Sequence, residues 1–195
     1  YTIDTAECAD KSYVMLGWLL GKNTDLFEVL KTELLSGILL DNSASPLRHF
    51  LETTPLGSNP AALCGLENSF REMAFVCGIE GSSPEKAEQF EREVINLLGE
   101  IAENGVPNEM VEAVLHQLEL HQREITGGSH PYGLQLILTA LPTAIHRGDV
   151  IAILDLDNAL ERLRKEASDP SFVKAMVKQM LIDNPHRLCL TVNPD

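Results

Sequence analysis

Ser83 to Ile125 is the stretch that most restricts what this chain can fold into, because apolar residues recur there at helical spacing twice, with a hard break between. Ser83 before Pro84 reads as an N-cap followed by proline at the first helical position. Ala87, Phe90, Val94, Leu97, Leu98 and Ile101 then follow at three- and four-residue intervals, which predicts one apolar stripe on one helix. Asn104-Gly105 supplies a left-handed stop, Pro107-Asn108 restarts the chain, and Val111, Val114, Leu115, Leu118 and Ile125 form a second stripe. Two amphipathic helices are therefore expected side by side.

The second helix carries His116, Glu119 and His121, which invites comparison with zinc-protease motifs that place two histidines four residues apart. Here they are five apart. At about 100° per residue this spacing splays the imidazoles by about 140°, whereas four residues would leave about 40°. Leu120 stands where a ligand would be needed. Tetrahedral coordination needs converging ligands, so the residues predict an exposed polar flank and no zinc site on this helix. A free-standing zinc hydrolase using His116 and His121 is the least favoured functional class.

Around this pair the chain reads as α+β. Lys11 to Leu20 (KSYVMLGWLL) is apolar on both alternating faces, which fits a central strand covered by helices on one side and by something else, such as a partner domain, on the other. Thr24 is read as an N-cap with Asp25 in the first turn of a helix holding Leu26, Phe27, Leu30, Leu34, Leu35, Ile38 and Leu39. Ser45-Pro46 starts a short helix through Leu51. Ala62 to Phe70 reads as a weak strand, and Met73, Phe75, Cys77 and Ile79 alternate in a stronger one, the two forming a hairpin or lying as near neighbours. After the breakers Gly127 to Pro131 comes a helix with Leu134, Ile137, Leu138 and Leu141; the Gly127-Gly128 pair lacks the preceding strand and spacing of a phosphate cradle. Helices over Asp155 to Glu166 and Ser171 to Leu181, then a strand over Leu188 to Val192, complete the order. This predicts a single α+β domain over residues 1–195 with an antiparallel or mixed sheet and helices mainly on one face. Val14, Leu16, Trp18, Phe75, Cys77, Ile79, Phe90, Val94, Leu97 and Leu118 are the expected core. The other face of the Lys11 to Leu20 strand is expected to leave an apolar patch open.

With 195 residues, 44% of them hydrophobic, the chain has enough material for a real core. It does not begin with Met, and we expect it to be a piece of a longer protein. Its 15 basic against 29 acidic residues, a net charge of −14, argue against a nucleic-acid or anionic-membrane partner and permit a basic one. No apolar run reaches the length of a membrane-spanning helix. Cys8, Cys64, Cys77 and Cys189 show no ligand spacing and read as small buried thiols in a reducing compartment. The six histidines are scattered.

The segments LLSGILLDNSASPLRHFLE, EMAFVCGIEGSSPEKAE, NEMVEAVLHQLELHQRE, PYGLQLILTALP and HRLCLTVNPD resemble, in that order, the second domain of the presequence-protease branch of the pitrilysin (insulinase-like) zinc metallopeptidases. The resemblance covers essentially the whole chain. It implies the α/β roll also found in processing peptidases, in a clamshell of four homologous domains closing on an unfolded peptide. It also implies zinc bound elsewhere, by an H-x-x-E-H motif and a distal Glu in the first domain. The first helix here, from Phe27 through Lys31 to Leu35, has no histidine, so no catalytic, cofactor-binding or metal residue is carried over. The expected role is a non-catalytic part of the chamber wall, abutting the preceding catalytic domain and joined to a following half. The alternative is a non-enzymatic scaffold or core subunit of the same fold. The cytoplasm is the expected compartment, with the mitochondrial matrix or a plastid as the alternative.

Overall fold

A computed structural model describes residues 11–123 and 131–194, with residues 121–123 described by backbone alone. The organising element is β1 (Ser12–Lys22), which lies between β4 (Glu72–Ser82) and β5 (Arg187–Val192) and pairs antiparallel with both. Two short strands, β2 (Asn59–Pro60) and β3 (Gly65–Glu67), add to β4, giving an open five-stranded sheet in which every pairing is antiparallel. Val14, Leu16 and Trp18 on β1 and Met73, Phe75, Cys77 and Ile79 on β4 point to one face and are buried. This is the period-two alternation of strands expressed as a core.

Helices cover that face. They are α1 (Leu26–Leu40), α2 (Pro46–Thr53), α3 (Ala87–Asn104), α4 (Asn108–Arg123), α5 (Tyr132–Ile145), α6 (Leu156–Ala167) and α7 (Pro170–Val177). Phe90, Val94, Leu98 and Ile101 of α3, with Leu30, Leu34, Leu35 and Ile38 of α1, pack into the same core as the sheet. Of the expected core, Leu97 and Leu118 are only half-buried, at the edges of their stripes. After α7 the chain widens into a π-helical turn, Lys178–Ile182, and the Leu181 carbonyl accepts a 2.8 Å hydrogen bond from the buried Trp18 indole.

Local starts and stops differ from the expected ones in three places. The N-cap of α1 is Asp25, not Thr24: Asp25 is extended and its Oδ1 accepts from both the Phe27 and Glu28 amides. Pro84–Lys86 forms a 3₁₀ turn, so the α-helix begins at Ala87 and the Ser83 side chain makes no capping bond. The expected strand over Ala62 to Phe70 shrinks to Gly65–Glu67, because Gly65 takes a φ of 134° and Leu63 and Phe70 turn out to solvent. The stop at Gly105 is as expected, with a φ of 79° and its amide donating to the Ile101 carbonyl. Ile125, the Gly127-Gly128 loop and Cys8 lie outside the described residues.

Gly37 sets how closely α1 and α4 approach. A Cβ there would meet Val114 Cγ1 at 2.5 Å. Gly37→Ala should gain about 1 kcal/mol of helix propensity and lose more to the clash, for a net cost of about 1–2 kcal/mol. In a Val114→Ala background the same change should become neutral or stabilising. Urea unfolding of the four-protein cycle checks this; equal costs in both backgrounds would refute the contact.

Candidate functional site

His116, Glu119 and His121 follow one another along α4, and the first two both lie near Arg164 of α6. His116 is exposed and lines a small cleft of about 320 Å³ with Glu112, Arg164 and Ser168. Glu119 turns to α6, where its Oε2 accepts from the Arg164 guanidinium. The His121 side chain lies outside the described residues. Among the described residues no group of three or more His, Cys, Asp or Glu side chains converges as a metal site.

The more informative surface is the sheet face turned away from the helices. Strand register places Tyr13, Met15 and Gly17 of β1 opposite Val192, Leu190 and Leu188 of β5, and Gly17 also opposite Val76 of β4. Leu188 is 64% exposed, Leu190 47% and Leu19 51%. Directly opposed side chains of an antiparallel pair touch, so these residues form one continuous apolar patch rather than scattered exposed leucines. Gly17, which has no side chain, leaves a shallow furrow between Val76 and Leu188. The patch follows from β1 having apolar residues at both phases while helices cover one. No described element covers it.

On the inner side the three described cysteines are free thiols. Cys77 is fully buried, and burial first, then the neighbouring Cys64 and Cys189, push its thiol well above the ordinary 9.0. Cys64 is half-buried; its Sγ lies 3.4 Å from the Gly78 carbonyl and accepts from the Gly78 amide at 3.2 Å. Burial raises its thiol and that of Cys189 as well.

Sequence reasoning missed a second hollow, on the helix side. A cleft of about 830 Å³ separates α5 from α1 and α4. The apolar residues read from the sequence on α5 are largely exposed, with Ile137 at 62% and Leu138 at 48%. Helical periodicity alone marks an apolar stripe and says nothing of how far the helix stands from its neighbours.

Comparison with known proteins fits this geometry. The profile described as "peptidase M16 inactive domain" matches residues 3–118. A mitochondrial presequence protease of Xenopus laevis is 31% identical over 186 residues, covering 95% of this chain and 18% of its own length. Protein HypA of Clostridium perfringens is 28% identical over 198 residues, covering 100% of this chain and 20% of its own. The chain thus spans about a fifth of the length of these relatives. Among solved structures, an inactive peptidase domain from Bordetella parapertussis superposes with a TM-score of 0.71 at 16% identity, over 95% of this chain and 93% of that one, which shows the shared fold. With the profile match extending over more than half of its residues, the chain belongs to the M16 peptidase inactive-domain family.

Proposed function

We propose that this chain, a single domain over residues 1–195, is the non-catalytic wall of a multidomain zinc metallopeptidase that degrades unfolded peptides. The zinc and the acid-base residues belong to another domain of the same polypeptide, and the catalytic domain that precedes this one covers the apolar sheet face. A half with further domains follows. The observation that carries the reading is that patch, built by register from Met15, Leu188 and Leu190 in a chain about a fifth as long as its relatives. Interfaces that stay closed bury such surface; exposed to water it costs about 25 cal/mol per Å². The free thiols favour a reducing compartment, and the mitochondrial name of the Xenopus laevis relative supports a mitochondrial location over the cytoplasm in a eukaryotic source.

The test uses the longer protein. Leu188→Glu with Leu190→Glu should lower peptide cleavage at least tenfold and should abolish co-purification of a separately expressed catalytic domain with this chain. Unchanged cleavage and unchanged co-purification would overturn the reading. In parallel, this chain alone, dialysed and analysed for metal, should retain no stoichiometric zinc and cleave no peptide. One zinc per chain with chelator-sensitive cleavage lost in His116→Ala would place the active site here instead.

A further inference from the structure

Helix α5 faces the wrong way for a helix that packs only on its own domain. At about 100° per residue, Leu134, Ile137, Leu138, Leu141 and Ile145 fall within an arc of about 100°, the width of stripe that an amphipathic helix ordinarily turns to a core. Here all five are exposed, Ile145 to 65%. The opposite side, with Leu136, Thr139 and Thr143, faces the cleft. In a chain with a net charge of −14, α5 holds no charged residue.

That orientation is fixed from the C-terminal end of the helix. Thr143 is buried; its hydroxyl donates to the Asn23 carbonyl at 3.3 Å, and its own carbonyl accepts from the Gly148 amide at 2.9 Å. His146 places Nε2 3.0 Å from the Ser69 carbonyl. A Cβ on Gly148 would meet Thr143 at 2.6 Å and Thr24 at 2.7 Å, so the chain leaving α5 is held tightly against the start of α1. Rolling α5 by half a turn to bring its leucines inward would break these contacts. The outward stripe therefore belongs to the fold, and a contiguous apolar stripe left in water marks a contact surface.

We propose that α5 is an interdomain contact of the longer polypeptide, covered by a helix from outside residues 1–195 that carries an apolar seam of its own. The spacing selects a helix. Leu134, Leu138, Leu141 and Ile145 follow one another at intervals of 4, 3 and 4 residues, the a/d rhythm whose side chains enter the holes of a second helix crossing at about 20°. The charge selects the partner's face. A charged side chain buried against α5 would lose its hydration and find no counter-charge on the helix, so the covering seam is uncharged as well. The length of the relatives supplies the source. This chain spans about a fifth of them, and a helix tethered in the same polypeptide meets α5 at high effective concentration. The inference rests on reading the chain as one domain of a multidomain peptidase, but it concerns the helix side and not the sheet face assigned to the catalytic domain.

The experiment uses the longer protein with a reporter thiol on the seam, Leu141→Cys. Its alkylation by a maleimide is read by mass spectrometry on the peptide that carries it, and the same protein unfolded in urea gives the uncovered rate. The expected result is alkylation at least tenfold slower in the native protein, independent of protein concentration. A light-activated benzophenone carried on Ala144→Cys, at the exposed rim of the seam, should crosslink to a helix outside residues 1–195. Leu188→Cys reports the sheet face in parallel. Full reactivity at Leu141→Cys overturns the inference, and protection of Leu188→Cys in the same protein then leaves the peptidase reading standing. Protection at Leu141→Cys with full reactivity at Leu188→Cys keeps the α5 contact and sinks the sheet-face reading. Protection that fades on dilution, with crosslinks between two copies of α5, means that a second copy covers the stripe and overturns the inference. Crosslinks within residues 1–195, or to a strand or loop elsewhere, overturn it too. A variant that fails to fold, recognised by circular dichroism, is replaced by Ile137→Cys on the same stripe.

Discussion

Phe75→Ala is expected to cost about 3–5 kcal/mol of folding stability, the usual range for deleting a fully buried ring without collapse of the site. Phe75 is 0% exposed, sits at the middle of β4, and meets the Trp18 ring with centroids 6.0 Å apart. Its neighbours in the core are strands on both sides and helices above, so little can move into the space. Total stability of a domain this size is about 5–15 kcal/mol, and one such change therefore brings the chain near its unfolding threshold. Phe70→Ala, at a residue 59% exposed, should stay within about 0.5 kcal/mol. Urea midpoints at constant m-value check both, and similar shifts for the two residues would mean that the sheet's inner face is misassigned.

Alkaline pH should destabilise the chain through Cys77. Burial holds this thiol well above 9.0 in the folded state, whereas the unfolded chain ionises near 9.0. Below 9.0 both states carry the proton and the full stability is present. Above it the unfolded state loses the proton while the folded state keeps it, so stability falls with rising pH by about 1.4 kcal/mol per unit until the folded thiol itself ionises. Cys64 and Cys189 are raised too, chiefly by burial, and act in the same direction. Cys77→Ala removes one titration, so its stability deficit against the unchanged chain should shrink as the pH rises above 9.0. A deficit that does not change with pH would show that Cys77 is not what the alkaline transition reports.

Features with a strong local cause were legible in the sequence. The β1 residues Val14, Leu16 and Trp18 were expected inside because their phase is apolar, and the opposite phase, Met15 and Leu19, was expected to need another cover for the same reason. The α3 stop at Gly105 needed only a residue that tolerates positive φ. Features set by a competition between neighbouring residues were less legible. Thr24 and Asp25 are both capping types, and Asp25 takes the role because its Oδ1 accepts from two amides. Ala62 to Phe70 has strand-forming residues, but pairing with β4 begins only at Gly65, whose φ is 134°, and covers three residues.

The candidate sites divide in the same way. The divergence of His116 and His121 is arithmetic on helix pitch and needs no structure. The apolar sheet face follows from one strand. The cleft under α5 could not be read in advance, since Asn23, Glu33 and Leu136 lie in three segments that only the fold brings together. The single weak hint was an α5 sequence without one charged residue, which the periodicity of its leucines made look like core.

The position of β1 between β4 and β5 has a consequence for synthesis. The partner on one side, β4, is complete by Ser82, but the partner on the other, β5, begins only at Arg187. At translation rates of about 5–20 residues per second, β1 waits on the order of ten to thirty seconds after it emerges before its second edge can be paired. During that interval the nascent chain presents Val14, Leu16 and Trp18 beside a row of unpaired backbone amides and carbonyls, the surface that holding chaperones bind and that other nascent chains join. A ribosome paused before Arg187 would therefore hold four of the five strands, with one edge of β1 open.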